Sequence, residues 1–439
     1  MPMPAHRPST TTQALPAEAE VEDNALRTEA QASDDPDPAL ALPPAAESDQ
    51  SGPRLEPQDR RLLELYLLHH YTTVVAPLFP TESGQASQRP IYSVEAVRLA
   101  FQHECLLAAI FAVSSLHIAL EVIEGRVTYS NEHSLDVEPG QARGGDLVKT
   151  HPVPAALSHV NMRETHHFYL QSALQFQQQA LMAISAANAE SLALTSILIS
   201  IAAMHLQESS VAYRPPTQYL NLSRGIRSTV TAAHSMSFHG HILSDLLSAD
   251  RVKYTPGRSD MDVLFDPVNV GPFAPILEFQ KCLTSAPRNG PGPVFPGTST
   301  PPEIQSTLSQ TVALVGSIHA AFLRDEPPYQ LSRRVTAFPT LAPAAYLSLV
   351  ASMHPCALVI LAHYFAMTTP LARHYWFFRG VAQREVRGIA GALPTEWDWA
   401  MSWPSKVCET GDVVGEGTDE ILRQYGTCAG MGGGEVECG

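Results

Sequence analysis

Residues 192–206 read LALTSILISIAAMHL, and this stretch decides the fold class. Nearly every side chain in it is apolar, so a helix built from it has no polar face to turn toward water. Such a helix is buried on all sides, in the centre of a multi-helix bundle. Residues 357–367, ALVILAHYFAM, have the same character. The two segments predict an all-helical protein with a thick core.

Helical periodicity continues on both sides of these segments. Apolar residues recur every three or four positions over residues 62–74 and 94–116, and no sustained apolar/polar alternation typical of a strand is found. The pattern therefore predicts an all-α, multi-helix bundle. Further helices are predicted at about residues 166–187, 189–207, 219–236, 275–283, 304–323, 344–367, 371–393, 395–407 and 418–425.

Composition divides the chain into a long helical part and two biased ends. Residues 1–57 hold 11 acidic residues, 3 arginines and no Phe, Tyr or Trp, so we interpret them as a disordered acidic Pro/Ala-rich tail. Residues 58–428 form the predicted helical domain, with mobile loops near 124–154 and 285–302, where turn-forming residues concentrate. Residues 429–439 are glycine-rich and are predicted to be a flexible C-terminus or a flap over a ligand.

The charge balance argues against direct nucleic-acid binding. The 439 residues carry a formal net charge of −16, and no dense Lys/Arg run supplies a local basic surface. Residues 335–372 contain no Asp, Glu, Lys or Arg, but two histidines and a proline lie in the apolar part. We interpret 344–367 as a buried helix rather than a membrane span. The six cysteines are scattered without a CxxC pair, which favours a reducing, intracellular compartment.

Catalytic and metal-binding motifs are nearly absent from the sequence. It contains no GxSxG, GxxxxGK[ST] or HExxH pattern. Three groups of residues have the chemistry of a site: the ExxH spacing from Glu164 to His167, the histidines at 234, 239 and 241, and His103 beside Cys105. Each is better explained as an ordinary helix end, a polar loop or a core cysteine. We therefore predict neither an enzyme nor a metal site.

The order of several segments carries a family resemblance. LLELYLLHHYTT (62–73), FQHECLLAAIFAVSSLHIAL (101–120), HFYLQSALQFQQQAL (167–181) and residues 357–407, which include Tyr375-Trp376 and Trp403-Pro404, occur in sequence. Together they resemble the regulatory domain of fungal zinc-cluster transcription factors, most closely the sterol-uptake regulators. The resemblance implies an all-α, often dimeric regulatory domain that controls RNA polymerase II genes in the nucleus, sometimes after shuttling from the cytoplasm. In sterol-sensing members it also implies a hydrophobic ligand.

The resemblance is incomplete at the N-terminus. Family members carry six closely spaced cysteines among basic residues, and residues 1–57 have no cysteine and are acidic. Either the zinc cluster is missing from the gene model or this chain has lost it, so direct DNA binding is in doubt. No cofactor is expected unless a missing zinc cluster exists.

Three functions follow as hypotheses. The leading one is a nuclear transcription regulator that senses a sterol-like ligand. Its pocket would be lined by residues in or beside the apolar helices, with the histidines fixing a hydroxyl. These residues are Met204, His205, Met353, Cys356, Val359 and His363. The alternative is a ligand-free module that forms a homodimer or binds other transcription proteins and acts through a DNA-binding partner. A helical lipid-handling enzyme is the third.

Overall fold

The computed structural model describes residues 56–79, 91–126, 153–206, 212–236, 263–285 and 301–431. Within them it contains 14 α-helices and no strand, which confirms the predicted all-α fold. The helices are α1 (Pro57–His70), α2 (Ala96–Ala100), α3 (Glu104–Ile123), α4 (Met162–Leu181), α5 (Ala189–Ala203), α6 (Thr217–Met236), α7 (Ala274–Ser285), α8 (Pro301–Leu323), α9 (Pro328–Leu341), α10 (Ala344–Ala351), α11 (Pro355–Ala366), α12 (Val381–Ala392), α13 (Asp398–Thr410) and α14 (Glu416–Met431).

Helices α3, α4 and α5 pack side by side in the first half of the domain. The His166 Nδ1 atom, at the start of α4, donates to the Ala112 carbonyl in the middle of α3, 3.0 Å away. The end of α4 and the start of α3 both contact α5, since Gln177 donates to Ser196 and Thr195 donates to the Cys105 thiol. The two helices α3 and α4 therefore run antiparallel.

The two apolar stretches lie in the core, as predicted. Every residue of α11 after Pro355 is buried, and α5 is buried along almost its whole length. Helix α6 contacts both of these buried helices through hydroxyl pairs. Its Ser223 hydroxyl is 2.5 Å from the Ser200 hydroxyl of α5, and its Tyr219 hydroxyl is 3.1 Å from the Tyr364 hydroxyl of α11. These buried hydroxyl pairs satisfy polar groups that would otherwise be costly to bury.

Three predicted helices are interrupted, each for a local reason. The helix predicted over 94–116 breaks at His103, which is extended (φ −134°) and whose carbonyl accepts from the amides of Leu106 and Leu107 in the first turn of α3. The helix predicted over 344–367 divides into α10 and α11 at Met353, which has a φ of 59°. The helix predicted over 371–393 is two short 3₁₀ turns followed by α12, which starts after Gly380 (φ 71°). Left-handed backbone at Met353 and Gly380 cannot continue a right-handed helix.

Other predicted boundaries also shift. Helix α9 was not predicted, because Pro339 and the pair Arg333-Arg334 interrupt its apolar pattern. Helix α8 starts at Pro301, and α14 continues to Met431, three residues into the predicted glycine-rich terminus. Most of both predicted loops, the N-terminal tail through residue 55 and residues 432–439 lie outside the described residues.

Three segments are long and apolar enough to span a membrane by length and composition: Glu104–Ile123, Pro302–Leu323 and Pro355–Arg373. Their most apolar windows are 78%, 61% and 78% buried inside the protein. Most of this apolar surface therefore packs against other helices of the same chain.

Candidate functional site

The structure divides the six predicted ligand-binding residues between two places. Met204 and His205 follow α5 and are buried. The His205 Nε2 atom donates to the Phe377 carbonyl at 2.8 Å, and the Met204 carbonyl accepts from Arg384 at 2.8 Å. Burial lowers the pKa of His205 to about 3, so the ring is neutral at physiological pH. This pair anchors the end of α5 to Phe377 in the segment before α12 and to Arg384 in α12 itself.

The other four predicted residues lie along the start and inner face of α11. Met353 is half-buried in the left-handed turn before the helix, and Cys356, Val359 and His363 are completely buried on it. Burial raises the pKa of the Cys356 thiol, which keeps it protonated and unreactive. His205 hydrogen-bonds Phe377, whereas His363 hydrogen-bonds Val359 and Tyr425, so the two predicted anchors have different hydrogen-bond partners. A pocket lined by all six residues remains a prediction.

His363 lies instead in a cluster that the structure assembles from five elements, one 3₁₀ turn and the helices α8, α11, α13 and α14. We call Phe273, His319, His363, Trp403 and Tyr425 the histidine–tryptophan cluster. The His363 ring stacks on the Trp403 indole, with centroids 5.3 Å apart and planes inclined by 5°. The Phe273 ring meets both histidines and the indole edge-on at 5.3–5.8 Å, and His319 meets Trp403 at 5.9 Å. All five side chains are buried.

Close backbone packing places Phe273 in this cluster. The 3₁₀ turn Pro267–Phe273 passes so near to α8 that a Cβ atom at Gly316 would overlap the Asn269 carbonyl. Only glycine at position 316 permits this approach. His319 follows on α8 one turn later, so the glycine brings the Phe273 ring within 5.4 Å of His319.

Helix α14 joins the cluster through a chain of three polar contacts. The His363 Nδ1 atom donates to the Val359 carbonyl at 2.8 Å, and its Nε2 atom lies 3.1 Å from the Tyr425 hydroxyl. That hydroxyl also donates to the Ala400 carbonyl at 2.7 Å. Burial lowers the pKa of His363 to about 4, so the neutral ring carries one proton. The ring and the hydroxyl thus supply two protons for three contacts, and the Tyr425 proton is shared between His363 and Ala400.

Two further polar atoms in the cluster have no hydrogen-bond partner among the described residues. They are the His319 Nε2 atom and the Trp403 indole nitrogen, and both are buried. Burial lowers the pKa of His319 to about 4, although the negative charge of Asp419 on α14 acts to raise it. The neutral imidazole can donate or accept, and the indole can only donate. Together they match a hydroxyl oxygen, which can accept from the indole and pair with the imidazole.

A second buried polar network links α1, α3 and the segment before α12. The His70 Nε2 atom lies 3.1 Å from His117 Nδ1, and the His117 ring meets Trp376 edge-on at 5.0 Å. One turn farther along α3, the buried Glu121 carboxylate accepts from Arg126 at 2.8 Å and from Arg379 at 2.6 Å. Charged hydrogen bonds from both sides offset the cost of burying this carboxylate. The network is therefore a structural bridge.

Sequence reasoning missed most of the histidine–tryptophan cluster. His319 lies in an apolar helical run, the same signal that singled out His205 and His363, so it could have been found. Trp403 belongs to a segment that carries the family resemblance, but its position gives no sign of a site. Tyr425 and Phe273 carry no local signal, because they reach the cluster only through the packing of α14 and of the turn before α7.

The Glu164–His167 segment and Cys105 occupy ordinary positions in the structure. The Glu164 carboxylate accepts from the Asn161 amide, which itself caps α4, and His166 faces α3. The buried Cys105 has a raised pKa, caused mainly by burial. In the described residues no group of three His, Cys, Asp or Glu could hold a metal ion. Of the three histidines at 234, 239 and 241, only His234 lies in the described part of the chain.

Comparison with known proteins identifies two relatives of one kind. The chain is 23% identical over 314 residues to the Zn(2)-C6 fungal-type transcription factor afumD of Aspergillus fumigatus, an alignment covering 71% of this chain and 68% of the relative. It is 23% identical over 366 residues to a Zn(2)-C6 fungal-type transcription factor of Gibberella zeae, covering 79% of this chain and 62% of the relative. No family model matches the sequence. Both relatives are transcription factors rather than enzymes.

Proposed function

We propose that this chain is a fungal transcription regulator that acts in the nucleus through its helical domain. The observation that carries the proposal is the similarity to two fungal Zn(2)-C6 transcription factors over 71% and 79% of the chain. The all-α fold agrees with the regulatory domain implied by the ordered sequence segments. The lack of an activated nucleophile in the histidine–tryptophan cluster argues against the lipid-handling enzyme.

A reporter assay tests regulation directly. The full chain, fused to an unrelated DNA-binding domain, should raise or lower transcription from a promoter that carries the matching site. Val359→Asp buries a carboxylate in the core and should abolish the effect, because an unpaired buried charge is strongly destabilising. Leu323→Ser, at an exposed position, is the matched control and should keep it. An unchanged reporter, or exclusion of the chain from the nucleus of a fungal cell, would overturn the proposal.

A more specific version of this proposal is that the helical domain senses a sterol-like ligand. The two buried atoms without partners, His319 Nε2 and Trp403 Nε1, favour it, since a ligand hydroxyl placed between them would accept from the indole and pair with the imidazole. An ergosterol-type ligand should raise the melting temperature of the full chain, and His319→Phe should reduce that rise. If no lipid in a broad panel shifts the melting temperature, the sensing proposal is refuted. The proposal of a transcription regulator is unaffected by that result.

The ligand-free module is the second candidate. It is favoured by the hydrogen bonds already made by the two predicted anchors, because a ligand would have to displace the bond from His205 to Phe377 or a bond of His363. In this form the domain acts through a DNA-binding partner. Purification of the tagged full chain from fungal nuclei should then recover a protein with its own DNA-binding domain. Recovery of the chain alone, with reporter activity intact, would exclude partner dependence.

A further inference from the structure

Helix α6 presents an exposed polar face to the solvent. The side chains of this face are spaced three or four residues apart on one unbroken helix, so they form a continuous stripe. Two of them are arginines, and the others are uncharged residues that form hydrogen bonds. We call this stripe the α6 arginine face, and it consists of Gln218, Asn221, Arg224, Arg227, Ser228 and Thr231.

The α6 arginine face is positively charged, although the chain as a whole has a net charge of −16. The main neighbours of α6 are α5, α9 and α10. Helices α6, α9 and α10 contain no Asp or Glu. The one acid of α5, Glu190, follows Ala189, which shares a buried cluster with Ala233 beyond the arginines. Among the described residues, the guanidinium groups of Arg224 and Arg227 have no ion-pair or hydrogen-bond partner. Two cations on one turn of helix are therefore uncompensated.

A glycine in the middle of this face has no explanation within the fold. Gly225 lies beside Arg224 in the interior of α6, where glycine is less favourable than alanine. A Cβ atom built at this position meets no neighbouring element within 4 Å, so packing inside the chain does not require the glycine. The bare backbone instead leaves room for the main chain of a partner to approach the helix closely.

We infer that the α6 arginine face binds a short acidic segment, rich in Asp and Glu, of a partner protein. The two guanidinium groups pair with its carboxylates, and Gly225 lets its main chain lie against the helix. A nucleic acid is a poorer match, because its phosphates extend beyond two arginines and meet a chain of net charge −16. The inference does not depend on a role in transcription, so a failed reporter assay and a failed binding assay are separate results.

Fluorescence anisotropy of a labelled peptide tests the charge pairing. The full chain should bind a peptide of alternating glutamate and alanine with a Kd of about 100 μM or lower at about 50 mM salt. A peptide with glutamine in place of glutamate should bind much more weakly. The double variant Arg224→Glu, Arg227→Glu should weaken binding by at least about ten-fold. Arg61→Glu, at an exposed position on α1, is the matched control and should leave binding unchanged. Equal binding of the two peptides, or of the wild type and the double variant, would overturn the inference.

Gly225→Leu tests the close approach without changing any charge. The variant should keep or raise the melting temperature, because leucine favours a helix and its Cβ atom has open space. It should nevertheless weaken the peptide complex by about ten-fold, since the new side chain holds the segment away from the helix. A stable variant that binds the peptide as tightly as the wild type contradicts the inference.

A random-sequence DNA duplex is the third probe. It should bind the full chain more weakly than the glutamate peptide does. Tighter binding of the duplex, lost in the double arginine variant, would make the α6 arginine face a nucleic-acid site and would refute the assignment to an acidic protein segment. Circular dichroism of each variant checks that the helical fold is retained.

Discussion

Lowering the pH should destabilise the domain strongly, because its core holds several neutral histidines. Burial lowers the pKa values of five imidazoles to between about 3 and about 4. They are His117, His166, His205, His319 and His363. In the unfolded chain the same groups titrate near pH 6.5. The unfolded state therefore binds more protons below that pH, and stability falls as the pH drops from about 6.5 toward 4.

The size of the effect follows from the difference in proton binding. At pH 5.5 each unfolded histidine is about 90% protonated while its buried counterpart is neutral, which costs about 1.4 kcal/mol per residue relative to pH 7.5. Five such residues cost about 7 kcal/mol, an amount comparable with the whole unfolding free energy of a typical domain. The domain should therefore be close to unfolding at pH 5.5.

Urea denaturation of the full chain at a series of pH values measures this effect. Two variants should each reduce the pH dependence by one proton while keeping a donor: His166→Asn places an amide where Nδ1 donates to Ala112, and His205→Gln places one where Nε2 donates to Phe377. His159→Gln, at an exposed position, reports the effect of the substitution itself. A loss of less than about 2 kcal/mol between pH 7.5 and 5.5 would refute the reasoning.

Two further predictions concern single contacts, both measured by urea denaturation at pH 7.5. Tyr425→Phe should lower the unfolding free energy by about 2 kcal/mol, because it removes the one hydroxyl proton that two buried acceptors share. Tyr169→Phe, whose hydroxyl bond is only partly buried, should cost less, and equal losses would contradict the burial argument. Gly388→Ala should cost about 1–3 kcal/mol, since a Cβ there would overlap the Tyr213 ring. Gly391→Ala, on the same helix with open space around it, should be neutral or stabilising, and a similar loss at both positions would contradict the steric explanation.

The fold class could be predicted because it depends on apolar patterns that extend over many residues. The apolar runs that became α5 and α11 have no polar face, and burial was the only arrangement open to them. The breaks could not be predicted in the same way. Met353 is not a glycine, and nothing in its neighbourhood indicates a left-handed backbone. Its turn ends α10 as a C-terminal cap, in which the His354 amide donates to the Leu349 carbonyl at 2.9 Å.

The candidate site was also predictable only in part from the sequence. An isolated histidine in an apolar helix is visible in the sequence, and His363 was found by that signal. Its partners were not, because Trp403 is 40 positions away and Tyr425 is 62 positions away along the chain. Contacts at such separations depend on how α13 and α14 close over α11, which no local pattern encodes.

The two predicted histidine anchors differ in what a bound hydroxyl could gain from them. At His205 the Nε2 proton already has an acceptor in Phe377. In the histidine–tryptophan cluster three contacts share two protons, and the His319 and Trp403 nitrogens have no partner among the described residues. A hydroxyl added there would supply the missing donor or the missing acceptor, and in a buried site each is worth about 1–3 kcal/mol. Because Tyr425 connects this cluster to α14, a ligand bound here would also change how firmly the C-terminal helix is held. We therefore expect a ligand hydroxyl to gain more from the histidine–tryptophan cluster than from His205, and the binding site itself stays a prediction.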